Sequence, residues 1–419
     1  MNRTYKGDNR PNVKPVERVE LSEKHFKLRV IAAIVLAAVA LVMLIVILNG
    51  VLTKNAGWTE IEVTGSAADN CSADFIFQYD LGSSGASSTV EYRRLAALYT
   101  EATERAYKLF CSDKEFESVD NLGRLNAHPN EEIELDRVLC AAFELLERFG
   151  DRSVYLAPIL SDYNTLFFSR YDEDAAEFDP YQNAELAEYF AEIAAFAGDP
   201  GAIRLELLGG GRVRLAVSDE YLEYAKENGI TTFVDFGWMK NAFIADAIAE
   251  AMAQSGYTKG SLSSFDGFTR NLDSGRGYSF NIFHRVENEV YLAGTFDYTA
   301  PMSIVYLRDH AMNTLDDGRY YAFGSGELRT PYIDTADGLC RSSIGDLVAY
   351  SREQGCAELM LGAKPLYIAE SFDAEEASSV SGMELIWCDG TEICCTEDGL
   401  SVNGLYDDGS VSYGVRYVR

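Results

Sequence analysis

The sequence predicts an α+β fold standing behind one membrane-spanning helix, and three observations carry that prediction. Residues 30–52 form one unbroken apolar run. Beyond it, helical periodicities and alternating strand-like segments are mixed without the strict β-α alternation of a parallel sheet. Most of the helix patterns precede residue 255, whereas the aromatic-rich alternating segments follow it.

The apolar run Val30 to Leu52 contains no charged residue, and at about 20 residues or more it matches a bilayer core of roughly 30 Å. A helix satisfies its own backbone in lipid, so such a run is expected to span. Before it, residues 1–29 carry eight basic residues (Arg3, Lys6, Arg10, Lys14, Arg18, Lys24, Lys27, Arg29) against four acidic ones. Basic flanks stay in the cytoplasm, which places the rest of the chain outside. No A-x-A cleavage element follows Leu52, so an uncleaved anchor is favoured over a signal peptide. The first cysteine, Cys71, lies too far along for a lipoprotein. The predicted organisation is a cytoplasmic tail (1–29), a transmembrane helix (30–52), a juxtamembrane spacer (53–69) and one extracytoplasmic domain (70–419).

Removing the tail's net +4 from the chain's −30 leaves −34 on residues 30–419. Such a surface repels nucleic acid and argues against it as a partner. The eight cysteines show no C-x-x-C, and four histidines spell out no zinc site. Outside the cytoplasm disulfides are permitted, with Cys388 to Cys394 or Cys395 the expected local pair. The acidic run Asp172 to Asp179 lacks the glycine and ligand spacing of a calcium loop and reads as a solvated loop.

Along the domain, Ala73 to Tyr79 reads as a strand. Glu91 to Phe110 and Glu131 to Phe149 read as amphipathic helices, and so does Asn183 to Gly198. Ile203 to Val217 is an expected hairpin turned at Gly209-Gly210-Gly211, which no Lys-Ser or Lys-Thr follows as a phosphate loop requires. A helix is expected over Glu220 to Asn228. A strand over Thr231 to Asp235 then leads through a turn at Phe236-Gly237 into a helix from Lys240 to Gln254. Strands are expected at Tyr278 to Val286, Val290 to Tyr298, Met302 to Leu307, Arg319 to Phe323 and Ser342 to Ala349. A helix over Glu353 to Leu361 and a hairpin-like segment from Met383 to Ser401 complete the chain.

Several segments stand in the order of one known family's motifs. NLGRLNAH, with Leu125-Asn126, is similar to S-x-x-S-R-L-N, and LFCSD at 109–113 to an L-F-S. VDFGWMKNAFIAD at 234–246 is similar to D-L-G-G-I-A-K-G-Y-A-V-D, keeping Asp235, Gly237, Phe243 and Asp246. AMNTLDDGRYY at 311–321 keeps Thr314 of A-T-S-G. PYIDTADG at 331–338 keeps Ile333, Asp334 and Gly338 of H-I-I-D-P-x-T-G. GCAELMLGA at 355–363 falls where the family writes A-D-A-L-A-T.

The chain thereby resembles the ApbE family, extracytoplasmic FAD:protein FMN transferases that move FMN from FAD onto Ser or Thr hydroxyls of partner proteins. The resemblance implies an FAD cofactor over the strand-to-helix turn, with Asp235, Gly237, Asn241, Thr314, Asp334 and Gly338 as cofactor contacts. It implies Mg²⁺ held by Glu358 and the Lys240 carbonyl. The motifs also depart from the family: Trp238 replaces a glycine, Asn241 a lysine, Pro331 a histidine, Glu358 an aspartate and Gly362 a threonine. An indole in the place of a cofactor-facing glycine fills space a pyrophosphate needs. The expected function is therefore a catalytically degenerate relative that binds flavin or a protein partner beside flavin-dependent redox machinery. The alternatives are an active Mg²⁺-dependent transferase and a surface scaffold without flavin. Ser83 to Ser87 also resembles the S-G-A-T acceptor sequences of such enzymes, though a Ser/Gly loop is the simpler explanation.

Overall fold

The computed structural model describes residues 26–418, except 53, 66–68, 84, 86, 274, 288, 300, 313–315 and 317. The chain divides into two compact units, 1–55 and Ala56–Arg419. In the first, the helix Phe26–Leu52 covers the predicted anchor. It is apolar around its circumference, and Ile31, Ile34 and Leu36 are exposed. Among the described residues no helix is long and apolar enough to cross a membrane.

The second unit is built on a nine-stranded sheet, ordered along its width as Gly57–Glu60, Phe75–Leu81, Gly260–Ser264, Phe268–Asn271, Met302–Arg308, Asp346–Ser351, Glu384–Asp389, Glu392–Cys395 and Gly414–Tyr417. All neighbours are antiparallel except the last pair. The predicted spacer 53–69 thus contributes the edge strand Gly57–Glu60.

Every residue of Met302–Arg308 and of Asp346–Ser351 is buried. Their side chains alternate between two cores. Val305, Leu307, Leu347 and Ala349 join the larger cluster, which also contains Leu95, Ile244 and Leu359 from the helices Ser88–Leu109, Lys240–Gln254 and Cys356–Tyr367. Ile304, Tyr306, Val348 and Tyr350 point the other way, into a smaller aromatic cluster beneath the hairpin Gly277–Val286 and Glu289–Thr299. Strands covered on both faces have no solvated face, so the strict apolar-polar alternation of a one-sided sheet is missing.

Several sequence expectations are corrected. Glu131 to Phe149 is not one helix: Glu132–Glu134 pairs as a strand with Arg212–Val217, and the helix begins at Arg137. Asp136 sets that start, its carboxylate accepting the Val138 N–H at 2.9 Å as an N-cap. The acidic run is no loop either, because Asp172–Glu177 is helical. Asp172 accepts from the Tyr321 hydroxyl at 2.9 Å and the Gly324 N–H at 2.8 Å, while buried Asp179 takes both arms of Arg329 at 2.9 and 2.8 Å. The hairpin Gly260–Ser264 and Phe268–Asn271, which the sequence reading passed over, lies inside the main sheet.

All eight cysteines are free thiols. The expected pairing with Cys394 fails on strand alternation: Cys388 and Cys395 face the smaller core, whereas Cys394 faces the larger. Arg329→Met is expected to destabilise the protein by about 3–5 kcal/mol, because it leaves the buried Asp179 carboxylate without its counter-charge, with only Gln182 and the Tyr181 N–H as donors. Equilibrium chemical denaturation measures this, and a loss below about 1 kcal/mol would show that water reaches Asp179.

Candidate functional site

The predicted strand Thr231 to Asp235 has no ladder partner. Its backbone is held instead by one buried side-chain amide. Asn126 Oδ1 accepts the N–H groups of Phe233 and Val234 at 3.0 and 2.9 Å, and its Nδ2 donates to the carbonyls of Val234 at 3.0 Å and Ser112 at 2.8 Å. Asn126 therefore does for this segment what a neighbouring strand would do.

The turn that follows is braced from two sides. Asp235 accepts the Gly237 N–H at 2.6 Å and the Ser112 hydroxyl, and its own N–H donates to Val154 at 2.9 Å. Gly237 has φ +52°, and a Cβ there would press on Leu160 at 3.3 Å. After it comes one 3-10 turn, Gly237–Met239, and then the helix Lys240–Gln254. The Met239 N–H is taken by the Phe236 carbonyl and the Lys240 N–H by that of Gly237. With Gly237's N–H on Asp235, three donors that would face an anion at this helix start are already committed.

Two adjoining clefts meet at this turn. The smaller, of about 290 Å³, lies between the turn and the segment Pro331 to Ile333, and is lined by Trp238, Lys240, Asn241, Asp266, Arg319 and Tyr332 among others. The larger, of about 990 Å³, includes Asp74, Asp113, Asp162, Tyr189, Asp235 and Lys240. Trp238 packs edge-on against Tyr332, with ring centroids 4.8 Å apart, and Tyr332 packs likewise on Tyr367. The indole forms a wall of the smaller cleft without closing it. Asn241 is buried and donates to Asp266 at 2.8 Å, and Arg319 meets the same Asp266 oxygen at 2.8 Å.

The other predicted contacts are not gathered here. Asp334 opens a turn, accepting the Ala336 N–H at 2.9 Å and pairing with Arg341. Gly338 has φ +76° and lies under the Phe190 carbonyl, where a Cβ would come to 3.1 Å. Of that segment, Pro331, Tyr332 and Ile333 reach the smaller cleft, while Asp334 and Gly338 line neither. Thr314 lies outside the described residues.

Glu358 pairs with Arg148 at 2.8 Å and also lines neither cleft. Gly362, in the family's threonine place, packs under the Met383 side chain. Among the described residues no three of His, Cys, Asp and Glu converge to hold a metal. A carboxylate neutralised by guanidinium and a ligand position without oxygen do not fit Mg²⁺, which demands several close oxygens.

Asp246 has a different task. Its carboxylate accepts the N–H groups of Cys356 and Ala357, both at 2.9 Å, and so caps the helix Cys356–Tyr367 from a neighbouring helix. Burial pushes this carboxyl up, and Arg270 at 3.4 Å works against that rise. Behind the turn, the buried Lys364 ammonium bonds Asp151 and Ser153 and lies 3.7 Å from the Met239 sulfur. Burial lowers the Lys364 pKa. Sequence reasoning missed Lys364 and the larger cleft. A lysine inside an apolar helix stretch was the one available signal for the former.

No family model and no curated protein matches the chain. Solved structures do. The ApbE protein of Thermotoga maritima superposes over 83% of this chain and 96% of its own, with TM-score 0.53 and 13% identity. The fold is that of ApbE proteins. The flavin transferase ApbE of Vibrio cholerae covers 84% of this chain and 98% of its own, at TM-score 0.50 and 11% identity. The apo flavinyl transferase ApbE of Pseudomonas stutzeri covers 80% and 92%, at TM-score 0.50 and 13% identity.

Asn126→Ala is expected to destabilise the protein by at least about 3 kcal/mol, since it strands two buried donors and two acceptors, whereas Ser112→Ala should cost about 0.5–1.5 kcal/mol. Denaturant titration of the two variants separates them. Equal losses would mean that the Asn126 bonds are replaced by water.

Proposed function

We propose that this protein is a membrane-anchored, extracytoplasmic ApbE-fold protein that has lost flavin transfer and keeps its clefts for binding, serving flavin-dependent redox partners at the cell surface. The observation that carries this reading is the Glu358–Arg148 pair, at 2.8 Å. The carboxylate expected to hold the metal is spent on a guanidinium, away from both clefts. The committed N–H groups at the turn point the same way. What the site retains is a rigid turn, an aromatic wall at Trp238 and Tyr332, and a pair of polar side chains, Asn241 and Asp266. These residues can orient a ring system and exclude water from one of its faces, and none of them is a cation that could polarise a pyrophosphate.

Anchoring rests on the uncharged run 30–52, its basic flank and the exposed apolar side chains of its helix. Protease added to intact cells is expected to remove residues 54–419 and to leave the tail protected; protection of the whole chain would exclude this topology.

The catalytic half of the proposal is tested on the full-length protein in nanodiscs, incubated with FAD, Mg²⁺ and a serine-containing acceptor peptide. AMP should not rise above the protein-free control. Stoichiometric AMP release that disappears in Glu358→Ala would restore the transferase.

A further inference from the structure

We propose that the smaller cleft takes a flat, uncharged nitrogen heterocycle that presents ring N–H donors, and that it discriminates against the phosphorylated form of the same ring system. This rests on the proposed reading that the clefts are kept for binding, takes flavin as the ring system they hold, and names the form of it they favour.

The size of the cleft is the first argument. At about 290 Å³ it lies at the lower end of small-ligand pockets. That is room for a ring system, with a dinucleotide's remainder forced into the larger cleft. The walls suit a ring, because Tyr163, Phe167, Trp238, Tyr320 and Tyr332 all line the space.

The second argument is hydrogen-bonding capacity. Asn241 is 3% exposed, and its Oδ1 has no partner; Asp266 Oδ1 has none either. Both residues line the cleft, and both orphan atoms are acceptors. A buried acceptor without a donor is costly, and a ligand N–H relieves that cost. A phosphate offers only further acceptors.

The third argument is charge. Arg319 is engaged by Asp266 at 2.8 Å, which leaves Lys240 as the other cation lining the smaller cleft. Any phosphate extending from the ring must enter the space lined by Asp74, Asp113, Asp162 and Asp235. These four carboxylates face one lysine, and an anion placed among them is repelled.

The test is equilibrium binding of riboflavin, FMN and FAD, without metal, to the full-length protein in nanodiscs, followed by flavin fluorescence. Riboflavin is expected to bind at least tenfold tighter than FMN. The gap should narrow when salt is raised from about 50 to about 500 mM, because repulsion between exposed charges is screened. Asp113 lines the larger cleft alone, so Asp113→Asn should strengthen FMN binding and leave riboflavin unchanged, and Asn241→Leu should weaken riboflavin about tenfold at unchanged melting temperature. FMN or FAD binding as tightly as riboflavin would overturn the preference and leave the flavin reading standing. Failure of all three flavins to bind would overturn both.

Discussion

The architecture of the site depends on one side-chain amide. Asn126 holds Phe233 and Val234 as a strand would, and so delivers the chain to Asp235 at a fixed position. From there the order is transmitted covalently through the Gly237 turn into the helix Lys240–Gln254, and then by hydrogen bonds from Asp246 to the start of the helix Cys356–Tyr367. Elements more than 200 residues apart in sequence are thereby held in register by a few polar contacts. Asn126 and Asp246 line neither cleft, so this frame does not depend on what the clefts hold.

Where this chain departs from the ApbE motifs, the departures bear on charge. Replacing lysine by Asn241 and glycine by Trp238 removes a cation and adds an aromatic wall at one turn. Glu358 is held in an ion pair with Arg148, and the buried Lys364 ammonium lies behind the turn, bonded to Asp151 and Ser153. On the proposed reading, this arrangement leaves the site little capacity to hold phosphate oxygens.

Much of the fold was legible in the sequence. The helices Ser88–Leu109, Ala184–Gly198 and Lys240–Gln254 announce themselves by apolar spacing, and the hairpin at Gly209 to Gly211 by its glycines, whose φ values are all positive. What stayed hidden depends on contacts between distant residues. The Asn126 clamp replaces a ladder, so Thr231 to Asp235 reads as a strand and has no strand partner. The cap on Cys356–Tyr367 comes from Asp246, so nothing in the local sequence marks where that helix begins, and the expected helix from Glu353 to Leu361 starts early and stops short of Tyr367. At the site, the turn and the indole wall were readable from the motif. The retirement of Glu358 to Arg148, and of Asp334 to Arg341, was not, because neither arginine is marked by any motif.

The two central strands, Met302–Arg308 and Asp346–Ser351, each supply side chains to both cores. Neither core can open by itself without tearing side chains out of the other, so the amides of these strands can exchange with solvent only when the whole unit unfolds. The aromatic core under the Gly277–Thr299 hairpin is in this sense a thermodynamic ballast. It touches neither cleft, yet its packing adds to the free energy that must be supplied before the distant turn can lose its shape.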